Sequence, residues 1–295
     1  MKVTIGIPFF NPGFFFRGSI NSILNQTFLD FELILLDDGS TDGSLEVAKS
    51  FSDNRIRIIS DGVNLGLPSR LNQLTDLAKG EYIARMDADD LVASDRIIKQ
   101  VEYLNKNKDI NLVSTGICSI SNTDDLISFR LPTQDKRLNT SINTAVYGKT
   151  EVAHASIMAR KDWYVRNRYN ETAKLMEDYQ LWLDATIKND FKVGFIKEPL
   201  YFYREESSTD YNKIINSYKN QLNIIKFNYK DIIPIKTQLT FTVIINFKIF
   251  ITMILHRLGF INKLINIRNR KTPQVSEWRD FIVKELSNIP NLKAK

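Results

Sequence analysis

The chain has 295 residues, 43% hydrophobic and 25% charged, an ordinary globular composition that suffices for one large domain or for a domain with an appendage. Its single cysteine, Cys118, excludes an internal disulfide and fits a reducing compartment. The formal charge of +6 is unevenly spread, with a net −5 over residues 1–210 and a net +11 over residues 211–295, so a mildly acidic globule is followed by a basic tail suited to an anionic surface.

The N-terminal "MKVTIGIPFF" carries no recognisable leader, and a cytoplasmic location is expected. Residues 3–10 read as a buried strand, and "NPG" as a turn. Helical spacing over 14–26 places Phe16, Ile20, Ile23 and Leu24 on one face. "FELILL" (31–36) has the continuous apolar character of a strand covered on both sides. "DDGSTDGS" is a turn in which Ser40, Thr41 or Asp42 can cap a helix over 44–51. A third strand (55–60), a loop, a helix (68–78), a fourth strand (81–86), a helix (94–107) and a fifth strand (110–120) follow, with Cys118 expected as a buried small hydrophobe in the last.

This alternation predicts an α/β fold with right-handed crossovers, in which ligands bind beyond the carboxyl ends of the strands. Two acidic clusters fall at such ends, Asp37-Asp38 after the second strand and Asp87, Asp89 and Asp90 after the fourth. For either cluster alone a solvated loop is the plainer reading, but their equivalent positions favour one shared crevice. Asp90 is expected to cap the following helix. There is no G-x-G-x-x-G after the first strand and no G-x-x-x-x-G-K-[ST], which argues against dinucleotide oxidoreductases and P-loop enzymes.

Further along, Glu177-Asp178 opens an apolar helical stretch containing Tyr179, Leu181, Trp182 and Leu183. Such a pair either complements the helix dipole or serves as a general base. His154 lies in the strand-like run "VAHASIMAR", where a core histidine is the ordinary reading. In the tail, residues 211–230 have helical periodicity and residues 239–258 are mostly apolar, interrupted by Lys248. A central lysine costs a spanning helix about 2.5–3.5 kcal/mol, so this segment is expected to lie at an interface. Arg257, Lys263, Arg268, Arg270 and Lys271 follow, and 239–271 together suit an anionic membrane surface. A helical subdomain packed on the globule is the alternative. No nucleic-acid motif is present and no such partner is expected.

Three segments carry a resemblance in their order and spacing: "PFFNPGFFFRGSINSILNQTFLDFELILLDDGSTDGS", "NLGLPSRLNQLTDLAKGEYIARMDADDLVASDRI" and "MEDYQLWLDA". Over residues 1 to about 205 the chain resembles the inverting family 2 glycosyltransferases of bacterial polysaccharide biosynthesis. The resemblance implies a GT-A catalytic domain over 1–210, a Rossmann-like, mostly parallel sheet flanked by helices. Residues 1–110 would be its nucleotide-binding half, 111–210 its acceptor half, and 211–295 a helical tail. It implies a nucleotide-sugar donor, UDP-linked foremost, and a divalent cation, Mg²⁺ or Mn²⁺. A carboxylate cluster would repel a pyrophosphate, and a bridging cation removes that conflict.

On that resemblance Asp89 would contact the metal, and Asp87 the metal or the ribose. Pro8, Asn11, Asp37, Asp38 and Arg70 would form the nucleotide site, with Asp38 accepting the N3 proton of uracil. Asp178 would be the catalytic base with Glu177 positioning it, and His154 would lie on the acceptor side. The acceptor would be a saccharide or lipid-linked saccharide in O-antigen or capsule assembly. The Q-x-x-R-W of processive members is absent after Asp178, so one sugar per event is expected. Two alternatives stand beside this. A metal-dependent phosphoryl-transfer enzyme of D-x-D type would need an aspartate nucleophile after the first strand, where "PFFN" stands. An inactive membrane-bound assembly relative would not need Asp87, Asp89 and Asp178 intact.

Overall fold

The computed structural model describes residues 1–173, 175–205, 211–260 and 275–290. The first part alternates β1 (Val3–Phe9), α1 (Phe16–Leu24), β2 (Phe31–Asp37), α2 (Ser44–Lys49), β3 (Ile56–Ser60), α3 (Leu67–Leu77) and β4 (Tyr82–Arg85). A two-residue strand, β5 (Leu91–Val92), precedes α4 (Arg96–Lys106). Then come β6 (Leu112–Ile120), β7 (Leu126–Arg130), β8 (Lys136–Arg137), α5 (Ile142–Val146), β9 (Met158–Arg160), α6 (Lys161–Arg166), α7 (Glu177–Ile187) and β10 (Val193–Arg204). The tail forms α8 (Tyr211–Asn228), α9 (Ile235–Arg257) and α10 (Val275–Ser287).

One sheet runs β3-β2-β1-β4-β9-β6-β10-β5, with β7 added to β6 and β8 to β10. The first four strands are mutually parallel, as are β6 and β10. The short strands β5, β7, β8 and β9 pair antiparallel. The sequence-based strands and helices up to residue 120 match within one to three residues, whereas β5, β8 and β9, only two or three residues long, are too brief to show a period. The expected run of pure crossovers is therefore broken after β4 by an antiparallel insertion.

Every residue of β1, β2 and β6 is buried, which explains their unbroken apolar character. Val3, Ile5 and Ile7 pack toward Ile20 of α1 and Ile97 of α4, while Ile34, Leu36 and Ile83 pack with Leu71 and Leu74 of α3 and with Trp163 and Trp182. Gly6 on β1 lets α3 approach closely, because a β-carbon there would lie 2.1 Å from a methyl of Leu74. One carboxylate is buried at the opposite, amino end of the strands. Glu32 accepts from Thr4 Oγ1 (2.7 Å), the Lys79 amide (2.8 Å) and Arg57 Nη1 (2.7 Å). Burial opposes its ionisation, yet these donors hold its pKa below the ordinary glutamate value.

The tail is built into the core at two places. Ile225, Tyr229, Ile233, Phe241 and Ile245 pack with Ala145, Val146, Met176, Tyr179 and Leu183 of the α5–α7 region. Ile282 and Leu286 of α10, with Ile289, pack against Leu91, Ala93, Ile120 and Phe129. Packing on the globule is thus realised for one side of α9, and its other side is exposed. The basic residues Lys263, Arg268, Arg270 and Lys271 lie outside the described residues.

Candidate active site

The loops that follow β1 and β2 are laced together. Pro8 is buried and pairs in register with Leu36. Asn11, with φ +50°, receives a bond at its Oδ1 from the Thr41 amide (2.7 Å), and its own amide donates to Ser40 Oγ (3.1 Å). Asp42 accepts from the Ser44 amide (3.0 Å) and the Gly13 amide (2.9 Å), so it caps the start of α2 and anchors the first loop. Asp37 accepts from the Ser40 amide (2.9 Å) and Ser60 Oγ (2.7 Å).

Asp38 accepts from the amides of Leu65 (2.7 Å) and Gly66 (3.0 Å) and from Arg70 Nε (2.9 Å). Arg70 is fully buried, and its other nitrogens hold both Asp61 oxygens (2.7 and 3.0 Å) and Gln73 (2.8 Å). Asp38 and Arg70 thus tie the end of β2 to the loop 61–66.

The Asp87–Asp90 turn follows β4, which lies on the other side of β1 from β2. Parallel pairing with β1 puts both acidic clusters at the same edge of the sheet. The expected cap is not formed by Asp90, because α4 begins at Arg96 with Asp95 at its N-cap position. Instead Asp90 is fully buried and accepts from Tyr201 Oη (2.7 Å) and the Arg204 amide (2.7 Å). Tyr201 Oη also accepts from the Asp87 amide (3.1 Å), and Arg204 Nε donates to the Asp89 carbonyl (3.0 Å). β5 sets this up by pairing Val92 with Tyr201 and Leu91 with Phe202. Burial, then the charges of Asp87 and Asp89, push the Asp90 pKa well up.

Asp89 is exposed, and no other described residue donates a hydrogen bond to its carboxylate. Its pKa is raised by partial desolvation in the crevice and by the charge of Asp87. Two neighbouring carboxylates, one of them exposed and bonded by no other described residue, fit a hard divalent cation, which takes one or two carboxylates and phosphate oxygens. Among the described residues no larger cluster of metal ligands occurs.

Arg85, at the end of β4, was not singled out from the sequence. It is buried, its Nη2 bonds Asp87 Oδ1 (2.5 Å), and its Nε has no partner among the described residues. Burial opposes its charge, but Asp87, Tyr169, Tyr201 and Glu177 carry its pKa upward. Glu177 and Asp178 open α7 and are half-buried. Asp178 accepts from the Tyr179 amide (2.6 Å). Desolvation raises the pKa of both carboxyls, while Arg85 pulls both down and Asp87 pushes both up. Arg85 is therefore the cation between the acidic turn and the α7 pair.

His154 lies in a short 3₁₀ turn (His154–Ser156) rather than a strand. Its Nε2 pairs with Tyr169 Oη (2.8 Å), and its ring meets Trp182 edge-on. Burial and then Arg85 hold its pKa well below the ordinary value, so it is neutral.

Beside Asp178 lies a cavity of about 270 Å³, whose lining includes Asp178, Tyr179, Trp182, Thr150 and, from α8, Ser217 and Gln221. A second, about 290 Å³, shares Gly148, Thr150 and Val152 with it and continues toward Arg130 and Glu151. The fold thus brings Asp87, Arg85, Glu177 and Asp178 together, and places Asp37, Asp38 and Arg70 across β1 from them. The residues missed from the sequence are Arg85, Tyr201 and Arg204. Arg85 left a signal, a charge inside the apolar run "EYIARM", whereas Tyr201 and Arg204 act through β10, a strand with no motif.

A mostly parallel sheet of this order, with carboxylates at its carboxyl edge, is an α/β fold of GT-A type. The chain belongs to glycosyl transferase family 2, whose model matches residues 4–166. It is 34% identical over 214 residues to EpsE of Bacillus subtilis strain 168, named as a glycosyltransferase, covering 70% of this chain and 74% of that one. It is 36% identical over 172 residues to the O-antigen biosynthesis glycosyltransferase WbnJ of Escherichia coli, covering 56% and 64%. Among solved structures, S. aureus TarS 1–349 in complex with UDP superposes with a TM-score of 0.58 at 15% identity, covering 81% of this chain and 77% of that one. The mannosyltransferase PcManGT of Pyrobaculum calidifontis, in complex with GDP-Man and Mn²⁺, gives 0.60 at 14% identity, covering 97% and 80%. Family membership sets the phosphoryl-transfer reading aside.

Proposed function

We propose that this glycosyltransferase moves one sugar, with inversion, from a UDP-sugar to a saccharide or lipid-linked saccharide acceptor, in cell-surface polysaccharide assembly on the cytoplasmic side of the membrane. The observation that carries the reading is Asp178, which lines a cavity while sharing the charge environment of Arg85 and Asp87. A base on the acceptor side and an acidic turn on the donor side then face one crevice. The O-antigen role of WbnJ supports the pathway class, and the UDP and GDP-Man complexes of TarS and PcManGT support a nucleotide-sugar donor.

In this reading the acceptor hydroxyl lies in the cavity against Asp178. Its oxygen attacks the anomeric carbon from the face opposite the nucleotide, the bond to the diphosphate oxygen breaks, and the proton passes to Asp178. Partial burial raises the proton affinity of Asp178, which suits a base. Glu177 and Arg85 orient it. His154, neutral and fixed by Tyr169, shapes the acceptor side without supplying a proton. Asp89, with Asp87, would hold Mg²⁺ or Mn²⁺, which when bound neutralises charge on the departing diphosphate. Pro8, Asn11, Asp37, Asp38 and Arg70 make up the nucleoside end. The division at about residue 210 follows the same reading, with 1–110 handling nucleotide and 111–210 acceptor.

The test is thermal stability against nucleoside diphosphates with and without Mg²⁺ or Mn²⁺. A ligand at a hundredfold excess over its dissociation constant stabilises the native state by about 2.7 kcal/mol. The expected result is stabilisation by UDP only with metal, abolished by Asp89→Ala. Absence of stabilisation by any nucleotide under any metal condition would sink the donor-site reading.

A further inference from the structure

A line of apolar side chains runs along the outward side of α9. Leu239, Val243, Phe247, Phe250 and Ile254 recur every three or four residues, and the first four are 61%, 69%, 62% and 58% exposed. No charge falls on this line between Lys236 and Arg257, which bracket it. The inward side is occupied. Phe241, Ile245 and Thr252 are buried, and Lys248, itself exposed, flanks that side with its ammonium 5.9 Å from the Tyr218 ring of α8. His256 stacks on Tyr211 at 3.9 Å.

By length and composition alone, α9 could cross a bilayer. Lys248 does not forbid it, because it lies off the apolar line, its ammonium toward the Tyr218 ring. The packing does. A helix fixed along one side to a polar catalytic body cannot be surrounded by lipid, but it can lie in a membrane surface with its free side down. A net +11 over residues 211–295 complements an anionic surface and gives a bilayer preference over a second, equally basic copy of this chain.

We propose that the outward face of α9 docks on an anionic lipid bilayer with its axis along the surface. A glutamine and a serine of α8, Gln221 and Ser217, line the Asp178 cavity. The pair α8–α9 therefore joins the cavity to the docking face and offers a lipid-linked acceptor a short path to Asp178. This link rests on the proposed transferase reading, whereas the docking itself does not.

The experiment is co-sedimentation of the full-length protein with vesicles of mixed phosphatidylglycerol and phosphatidylcholine, or of phosphatidylcholine alone. Binding is expected to the anionic vesicles and to weaken with salt, as the screening length falls from about 10 Å at 0.1 M to about 3 Å at 1 M. The combined Val243→Glu, Phe247→Glu and Phe250→Glu variant is expected to partition about tenfold less or weaker still. Lys236→Glu with Arg257→Glu is expected to lose the preference for anionic lipid. UDP-induced stabilisation, unchanged in each variant, checks that the globule is folded.

The proposal is overturned if the wild-type chain ignores anionic vesicles, or if the triple variant binds as well. It is also overturned if alkaline carbonate fails to strip the protein from membranes, which would mean a spanning helix. Sedimentation showing a dimer that Val243→Glu dissociates would assign the face to a second copy instead. Vesicle binding without any nucleotide stabilisation would leave the docking in place and count against the transferase site alone.

Discussion

At the scale of single residues the proposed chemistry turns on Asp178 and Arg85. Asp178→Asn keeps the shape of the cavity but cannot take a proton, so transfer is expected to fall by about 10²–10⁴-fold while metal-dependent UDP stabilisation persists. Paired turnover and melting measurements check this. The carboxyl of Asp178 titrates above its ordinary value, and only the ionised form is a base. kcat/KM should therefore fall as pH drops through that raised pKa, placing the acid limb above the range of an exposed aspartate. Arg85 favours the ionised form. Arg85→Met should move the acid limb further up, and each unit of movement corresponds to about 1.4 kcal/mol. An unmoved limb in Arg85→Met would mean that Arg85 serves only Asp87. The sequence made Asp178 legible as part of an acidic pair opening a helix. It could not reveal that Arg85 stands between that pair and Asp87, since these positions are some ninety residues apart in the chain.

At the scale of elements, α8 is the wall of the cavity opposite α7. Gln221→Trp is expected to fill the space, cutting transfer to acceptor with UDP stabilisation unchanged, as read by activity and melting in the same preparation. β10 is the other decisive element, because Tyr201 and Arg204 fix the acidic turn from below. In β2, Glu32 joins three donors from separate parts of the chain. Its folded pKa is depressed, so its stabilisation is present above its unfolded value of 4.5 and is lost as pH falls through the folded pKa. Glu32→Ala removes the acceptor of the Thr4 hydroxyl and the carboxylate partner of Arg57, and should cost about 1–3 kcal/mol at neutral pH by denaturant titration. The strand containing Glu32 is legible from its apolar run, whereas the charge inside it is explained only by Thr4 of β1, Arg57 of β3 and the Lys79 amide that follows α3.

For the whole molecule, the tail is part of the folded core as well as a surface. Ile282→Ala should destabilise by about 2–5 kcal/mol, measured by thermal or denaturant unfolding, because its side chain is enclosed by Leu91, Ile120 and Phe129. A chain ending at residue 210 should melt lower and aggregate, having uncovered the α7 and β5 surfaces. Ordinary stability in that shortened chain would show the tail to be an independent appendage, as its composition suggested.

The sequence by itself determined the alternation of strands and helices to residue 120, the class of fold, and both acidic clusters at strand ends. Those features are local, set by hydrophobic period and by motifs within a few residues. Only the tertiary structure decided that Asp90 is a buried anchor for β10, that Arg85 bonds Asp87 and feels the charge of Glu177, and that Lys248 reaches toward Tyr218. Each depends on which distant segment packs against the residue. The burial and charge that such packing imposes leave no period in the sequence to read.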